Sequence, residues 1–397
     1  MDVISEILSR TPVKSVCRFR CVSKAWQALI SDATFLGTHK EPLPLLIVNS
    51  IGADEPRDHR DSPLMDLESN LNFYIMGAYK YRGHDLQLLD LDGNVIRVMK
   101  RAGTFLTMCS GGAVNGPAAC VTLHHSTFNV IDLASGNVIA TSKAENMRDY
   151  NALNSVFSYG VGCAIPSGNY KLVFLARSQA CQVLTLQDGA EWRHAQPSPA
   201  QVFFNGYRQY SSVTINGVMR FFHYNWEAPQ GDENYILCFH LESEEWKESI
   251  KGPVKLTDPY DMPEPIMTEL NDTLCIVEWE ELVTHVWLLI DPVDSIWVKT
   301  YTIPMAPATY VEMPLRMVCD NGEKVLLHCS PRRFTSTATR TLQDYDPLTG
   351  SHTHRINFRA YGLGKVGICR MDLKYVVSSK IFTMVEPEEF NLPLLLE

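Results

Sequence analysis

A chain of 397 residues, 45% hydrophobic and 20% charged, can bury a substantial core and does not have the composition of a disordered tail. Its formal charge of −10 argues against a general binder of nucleic acid or anionic membrane, because phosphate contacts need clustered Lys and Arg. The charge is uneven: residues 1–40 carry six bases (Arg10, Lys14, Arg18, Arg20, Lys24, Lys40) and three acids (Asp2, Glu6, Asp32), so a +3 head precedes a −13 body.

The head has apolar residues at helical spacing: Val3, Ile4, Ile7 and Leu8, then Val13, Val16 and Cys17, then Val22, Trp26, Leu29 and Ile30. Three short helices are expected. Thr11 with Pro12, Ser23, and Asp32 are placed to cap successive helical segments. Helices this short do not bury their apolar stripes alone, which points to a partner protein.

After residue 40 the pattern becomes short strands and turns, with Ala144–Phe157 as the one helix-like stretch. A unit recurs six times as an apolar strand, an Asp/Gly/Asn/Ser turn and a second strand: Leu86–Val95, Val130–Val138, Val183–Trp192, Leu237–Trp246, Leu288–Trp297 and Leu342–Gly350. Trp192 and Trp246 are 54 residues apart, and Trp246 and Trp297 are 51 apart. A period of about 50 residues, with four short strands each, is that of a kelch-like β-propeller. Asn216-Gly217 and Cys319-Asp320-Asn321-Gly322 supply further hairpin turns. The expected fold is mainly β: a small N-terminal three-helix domain over 1–40, then a propeller over 41–397 of six blades, or seven as the alternative. Strands near Val366–Met371 and Lys374–Ser378 are expected to join the first blade and close the ring.

The chemistry-bearing motifs have simpler structural readings. Gly362-Leu-Gly-Lys-Val-Gly367 matches GxGxxG but lacks the helix that a dinucleotide site requires, since Ile368–Ser379 reads as strand. Asp90-Leu-Asp92-Gly-Asn94 lacks the Glu and helices of a calcium loop and reads as a hairpin turn. His124-His125 and His352-x-His354 have no further ligands in a recognisable pattern, so no metal and no cofactor is expected. Trp192, Trp246 and Trp297 are expected to pack between blades. Eleven cysteines without a CxxC pair read as buried reduced thiols of a cytoplasmic or nuclear protein. There is no signal-peptide pattern, and Asn271-Asp272-Thr273 reads as a turn.

The stretch Met1–Phe35, with its ILSR-x-PVKS, RFRCVSK-x-W and LISD-x-x-F segments, resembles the F-box of plant F-box proteins. The remainder resembles their F-box-associated propeller, notably in Ser158-Tyr159-Gly160-Val161-Gly162 and Asn234–Pro253. The resemblance implies a non-catalytic substrate receptor of an SCF (Skp–cullin–F-box) ubiquitin ligase. Its F-box would dock on a Skp-type adaptor, and through it a cullin core, while its propeller binds a target protein. By position the adaptor-facing residues would be Ile4, Ile7, Leu8, Pro12, Val16, Val22, Trp26 and Leu29. The family usually opens with Leu-Pro and an acidic residue ahead of the Ile-Leu pair, and has Leu where Thr11 stands. The first helix is therefore expected to be N-terminally shortened. Two other readings stay open: a propeller enzyme or small-molecule binder, and a non-docking relative that only binds its target.

Overall fold

In the computed structural model, residues 3–11, 13–39, 43–51, 84–109, 119–124, 127–143, 156–176, 179–187, 189–200, 212–223, 235–253, 265–270, 272–280, 282–306, 309–318, 324–331, 339–359, 366–371 and 373–378 are described. The chain forms two compact units, one comprising Met1–Leu45 with Arg370–Glu397 and the other Leu46–Cys369.

The larger unit is a six-bladed β-propeller. Blade 1 holds β1 (Leu43–Ile51), β2 (His84–Leu89), β3 (Val95–Met99) and β24 (Val366–Met371), in the order β24-β1-β2-β3. Blade 2 holds β4 (Thr104–Cys109), β5 (Ala119–His124), β6 (Thr127–Asp132) and β7 (Val138–Lys143). Blade 3 follows with β8 (Val156–Cys163), β9 (Tyr170–Ala176), β10 (Cys181–Thr185) and β11 (Arg193–Ala195). Blade 4 holds β12 (Ser212–Ile215), β13 (Val218–His223), β14 (Tyr235–His240) and β15 (Glu245–Lys251). Blade 5 is β16 (Ile266–Leu270), β17 (Thr273–Glu280), β18 (Val283–Asp291) and β19 (Ile296–Pro304). Blade 6 is β20 (Thr309–Val318), β21 (Lys324–Pro331), β22 (Thr339–Asp346) and β23 (Ser351–Arg359).

The first strands of successive blades neighbour one another, β4 with β8, β8 with β12, β12 with β16 and β16 with β20, so they surround the axis. The six sequence repeats are the hairpins of the two outer strands, β2–β3, β6–β7, β10–β11, β14–β15, β18–β19 and β22–β23. Blade 1 takes its inner strand from the far end of the chain, so the expected closure by Val366–Met371 holds and the count is six. Lys374–Ser378 differs from expectation. It belongs to a helix, α5 (Leu373–Ser378), whose apolar residues Leu373, Val376 and Val377 share one helical face. Val156 and Phe157 are in β8; the remainder of the helix-like stretch, residues 144–155, lies outside the described residues, as does the Cys319–Gly322 turn.

The core lies between blades. One cluster joins Val121 and Phe128 of blade 2 to Leu172 and Phe174 of blade 3. Another joins Val173 and Val183 to Phe221 and Phe239 of blade 4. A third joins Ile236 and Ile250 to Ile276 and Leu289 of blade 5, and a fourth joins Val277 and Val286 to Val325 and Leu327 of blade 6. The ring closes where Leu326 and Leu342 meet Leu46, Leu89 and Val366. Between blades 1 and 2, buried Asn49 donates to Gly103 O at 2.9 Å and accepts from Phe105 N at 2.7 Å. Each fully buried Val, Leu or Phe contributes about 1.5–3 kcal/mol, and a blade on its own would bury few of them.

Glycines permit the close approach. A Cβ on Gly160 would lie 2.3 Å from Met219 Sδ, and one on Gly162 would lie 2.5 Å from Thr214 Cγ2. The Tyr-Gly-Val-Gly run thus lets β8 press against blade 4. Gly367 on β24 is similarly confined, its added Cβ falling 2.7 Å from Phe105 Cζ. That contact, and not a phosphate cradle, accounts for the last glycine of the GxGxxG match. Asn216 and Gly217, with φ of 51° and 73°, make the expected β12–β13 turn.

A polar stitch repeats at the rim. Trp246 Nε1 donates to Gln196 O of the preceding blade at 2.9 Å, and Trp297 Nε1 donates to Lys251 O at 2.8 Å. His352, at the same hairpin position in blade 6, donates from Nε2 to Pro304 O at 2.9 Å. The indole of Trp246 also packs on Phe239, with ring centroids 5.0 Å apart. Between blades 3 and 4, buried Lys171 donates to Leu241 O at 2.6 Å and to Glu244 Oε1 at 2.7 Å. Arg193 Nε reaches Glu244 Oε2 at 3.0 Å. Burial opposes ionisation of Glu244, but its bonds to Arg193 and Lys171 outweigh burial and hold the carboxyl below its usual value.

Replacing Trp246 by Phe keeps the ring packing and removes the donor. Chemical denaturation should show a loss of about 1 kcal/mol or less. Glu244→Ala leaves Lys171 buried and unpaired, and the same measurement should show a loss of roughly 2–4 kcal/mol, discounted for the exposure of Arg193. Because the folded-state value of Glu244 is lowered, its contribution is present at neutral pH. It should fade as pH falls through about 4.5 and below, so acid titration should narrow the gap between wild type and Glu244→Ala.

Candidate protein-docking site

The smaller unit contains α1 (Val3–Ser9), α2 (Val13–Phe19), α3 (Lys24–Ser31), α4 (Ala33–Thr38) and α5. The first 40 residues therefore form four short helices where three were expected, because the turn capped by Asp32 continues into α4. Two expected caps are present: Ser23 Oγ accepts from Trp26 N at 3.2 Å, and Asp32 Oδ1 accepts from Thr34 N at 2.9 Å and Phe35 N at 3.3 Å. Thr11 acts differently. Its hydroxyl donates back to Ile7 O at 2.9 Å, satisfying a carbonyl at the end of α1.

The unit's core is formed by Leu8, Val13, Val16, Cys17, Ile30 and Phe35. Val13, Val16 and Cys17 follow i, i+3, i+4 spacing, so α2 turns one face inward. Burial pushes the Cys17 thiol up to about 11, which keeps it neutral, with Arg20 as the smaller opposing influence. His39 is also buried. Its Nε2 donates to Thr11 O at 2.8 Å and ties the exit of α4 to the corner between α1 and α2.

The candidate docking residues divide by exposure. Ile4 is 40% exposed, Ile7 61% and Val22 63%, whereas Leu8 is 2% and Val16 0% exposed. In this fold Leu8 and Val16 face inward, because seven-residue helices carrying apolar side chains on two faces must give one of them to their own core. Trp26 and Leu29 are half-buried, and Trp26 packs edge-to-face on Phe19 with centroids 5.5 Å apart. Pro12 lies outside the described residues. Val3, 69% exposed, joins Ile4 and Ile7 on α1. Its position in the apolar stripe could have placed it among the candidates. The surrounding charges are mainly basic: Arg18 and Lys24 are exposed, and Arg10 pairs with Glu6 at 2.7 Å on the surface. Exposed apolar side chains on a unit whose described charges are mainly basic suit an acidic, apolar partner surface.

Elsewhere the other marked residues have structural partners. Asp90 Oδ1 accepts from Asp92 N at 3.0 Å and Asn94 N at 2.8 Å, closing the β2–β3 turn. His354 Nε2 pairs with Asn357 Oδ1 at 2.8 Å, while His352 makes the rim stitch; the side chains of His124 and His125 lie outside the described residues. Among the described residues no three His, Cys, Asp or Glu side chains come together as a metal site, and no described helix is long and apolar enough to cross a membrane.

The F-box domain model matches residues 1–36, and the F-box associated beta propeller domain model matches residues 159–347. The chain carries an F-box domain and an F-box-associated β-propeller domain. It is 23% identical to the F-box protein CPR1 of Arabidopsis thaliana over 354 residues, covering 82% of this chain and 78% of that one. The Arabidopsis F-box/kelch-repeat protein At3g16580 is 27% identical over 232 residues, 54% of this chain and 49% of the relative. The putative Arabidopsis F-box protein At1g47790 is 58% identical over 40 residues, 10% of each chain. Among solved structures, the Cps50 (Swd1) β-propeller domain of Myceliophteria thermophila covers 74% of this chain at 9% identity with a TM-score of 0.40. The six-blade count rests on the strand pairing of the chain itself.

The inward and outward sets should separate experimentally. Val16→Ala removes fully buried atoms and should destabilise the helical unit by about 1–2 kcal/mol. Ile7→Asp and Val22→Asp should each change thermal stability by less than about 0.5 kcal/mol, as read by calorimetry.

Proposed function

We propose that the chain is the substrate-recognition subunit of an SCF-type E3 ubiquitin ligase, with the F-box of residues 1–40 docking on a Skp-type adaptor and the propeller holding a target protein. The observation that carries this reading is the exposed apolar set Val3, Ile4, Ile7 and Val22 on a helical unit that matches the F-box. Half-buried Trp26 and Leu29 border the same role, since aromatic and aliphatic groups that become desolvated on binding concentrate interface energy. Leu8 and Val16 are buried and would act by holding the helices that carry the exposed set. The basic residues Arg18 and Lys24 would speed encounter with an acidic adaptor.

In this role the chain performs no covalent chemistry. Joining an adaptor-docking unit to a target-holding unit raises the effective concentration of the target at the ubiquitin donor. The work takes place in the cytoplasm or nucleus, where ubiquitin ligases of this class and reduced thiols are found together.

The purified full-length chain should form a complex with a recombinant plant Skp-type adaptor. Ile7→Asp combined with Val22→Asp should weaken that complex by roughly 30-fold or more, the loss of at least one hot spot. Undiminished binding by the folded double variant would contradict the docking assignment.

A further inference from the structure

Both covalent connections between the helical unit and the ring enter the same blade. The chain leaves α4 through His39 and enters β1; at the far end it leaves β24 and enters α5. β24 and β1 are adjacent strands of blade 1. Residues from Arg370 onward belong to the same compact unit as residues 1–45, and within that unit α5 contacts α4.

The α5 side chains are placed as structural members. Leu373 and Val376 are each 1% exposed and Val377 is 8% exposed, at i, i+3 and i+4, so one face of the helix is buried. The helices around it are too short to hold themselves: α1 has seven residues and α4 has six, well below the length at which a helix is stable alone. α4 contacts α1, α3 and α5, so it links the C-terminal helix to the helix that displays Ile4 and Ile7. Phe35 of α4 is buried, and the α4 exit is fixed by the His39–Thr11 bond.

We infer that the C-terminal helix is an integral part of the N-terminal helical module, so that the structural integrity of the F-box depends on a segment delivered by the last strand of the propeller. The sequence segment 1–40 is then not a self-sufficient module in this protein. Detachment of α5 loosens α4 first and α1 through it. This dependence concerns the fold of the unit and holds whether or not the unit docks on an adaptor.

Peptide-resolved hydrogen exchange on the full-length chain tests it, comparing wild type with Val376→Asp and Val376→Ala. A buried Asp on α5 should accelerate exchange in α1 and α4 at least 10-fold while β8–β19 exchange at the wild-type rate. Val376→Ala should give the same pattern at about 3-fold. Loss of protection confined to α5, with α1 and α4 unchanged, overturns the inference. If Val376→Asp unfolds the whole chain, Val376→Ala decides alone: wild-type exchange in α4 of that variant overturns the inference, and selective acceleration there supports it.

Discussion

Antiparallel pairing of four strands does not by itself stabilise a blade of this protein; the join between β24 and β1 allows all six to count. Every described hydrophobic cluster of the ring contains residues from two neighbouring blades. An open ring would leave two of those surfaces in water and would leave β1 and β24 without each other as strand partners. By taking its inner strand from residues 366–371 and its other three strands from residues 43–99, blade 1 ties the two ends of the chain into one sheet. The Leu326, Leu342, Leu46, Leu89 and Val366 cluster is the hydrophobic counterpart of that join. Gly367 lets β24 lie close to β4 of blade 2, since a Cβ there would fall 2.7 Å from Phe105 Cζ and 2.9 Å from Met108 Cγ.

Polar interactions refine this arrangement. The rim stitch uses one geometric idea with two side chains: an indole N–H in blades 4 and 5 and an imidazole N–H in blade 6, each donating to a backbone carbonyl of the preceding blade. Such a bond is modest in net energy, but it fixes the angle at which one sheet meets the next. The Glu244 cluster is more consequential, because Lys171 is buried and its ammonium depends on Glu244 and Leu241 O for neutralisation and hydrogen bonding. The ring thus combines non-directional burial between blades with a few directional contacts that set their register.

Much of this was legible in the sequence where local chemistry determines local structure. The six outer hairpins announced themselves through Asp/Gly/Asn/Ser turns and the spacing of Trp192, Trp246 and Trp297. Ser23 and Asp32 were readable as caps because short polar side chains before a helix satisfy its free N–H groups. Features that depend on distant residues were not readable. Leu373–Ser378 contains Tyr375-Val376-Val377, a β-prone run, and becomes helical where it packs against α4. Leu8 and Ile7 are indistinguishable by hydropathy, and tertiary packing sends one inward and leaves the other exposed. His352 resembled half of a ligand pair until its position in the blade repeat showed it to be equivalent to the tryptophans. Glu244 belongs to an ordinary-looking acidic turn, and its role depends on Lys171, which lies more than 70 residues earlier.

The central claim, that one strand join makes the ring a single cooperative body, is tested most directly by denaturant-dependent hydrogen exchange of the full-length chain with Gly367→Val. The added side chain should displace β24. The account predicts that protected amides in all six blades share one unfolding midpoint in wild type and that the substitution lowers all six together. A lowered midpoint in blades 1 and 2, with blades 3 to 6 holding at the wild-type value, would contradict it.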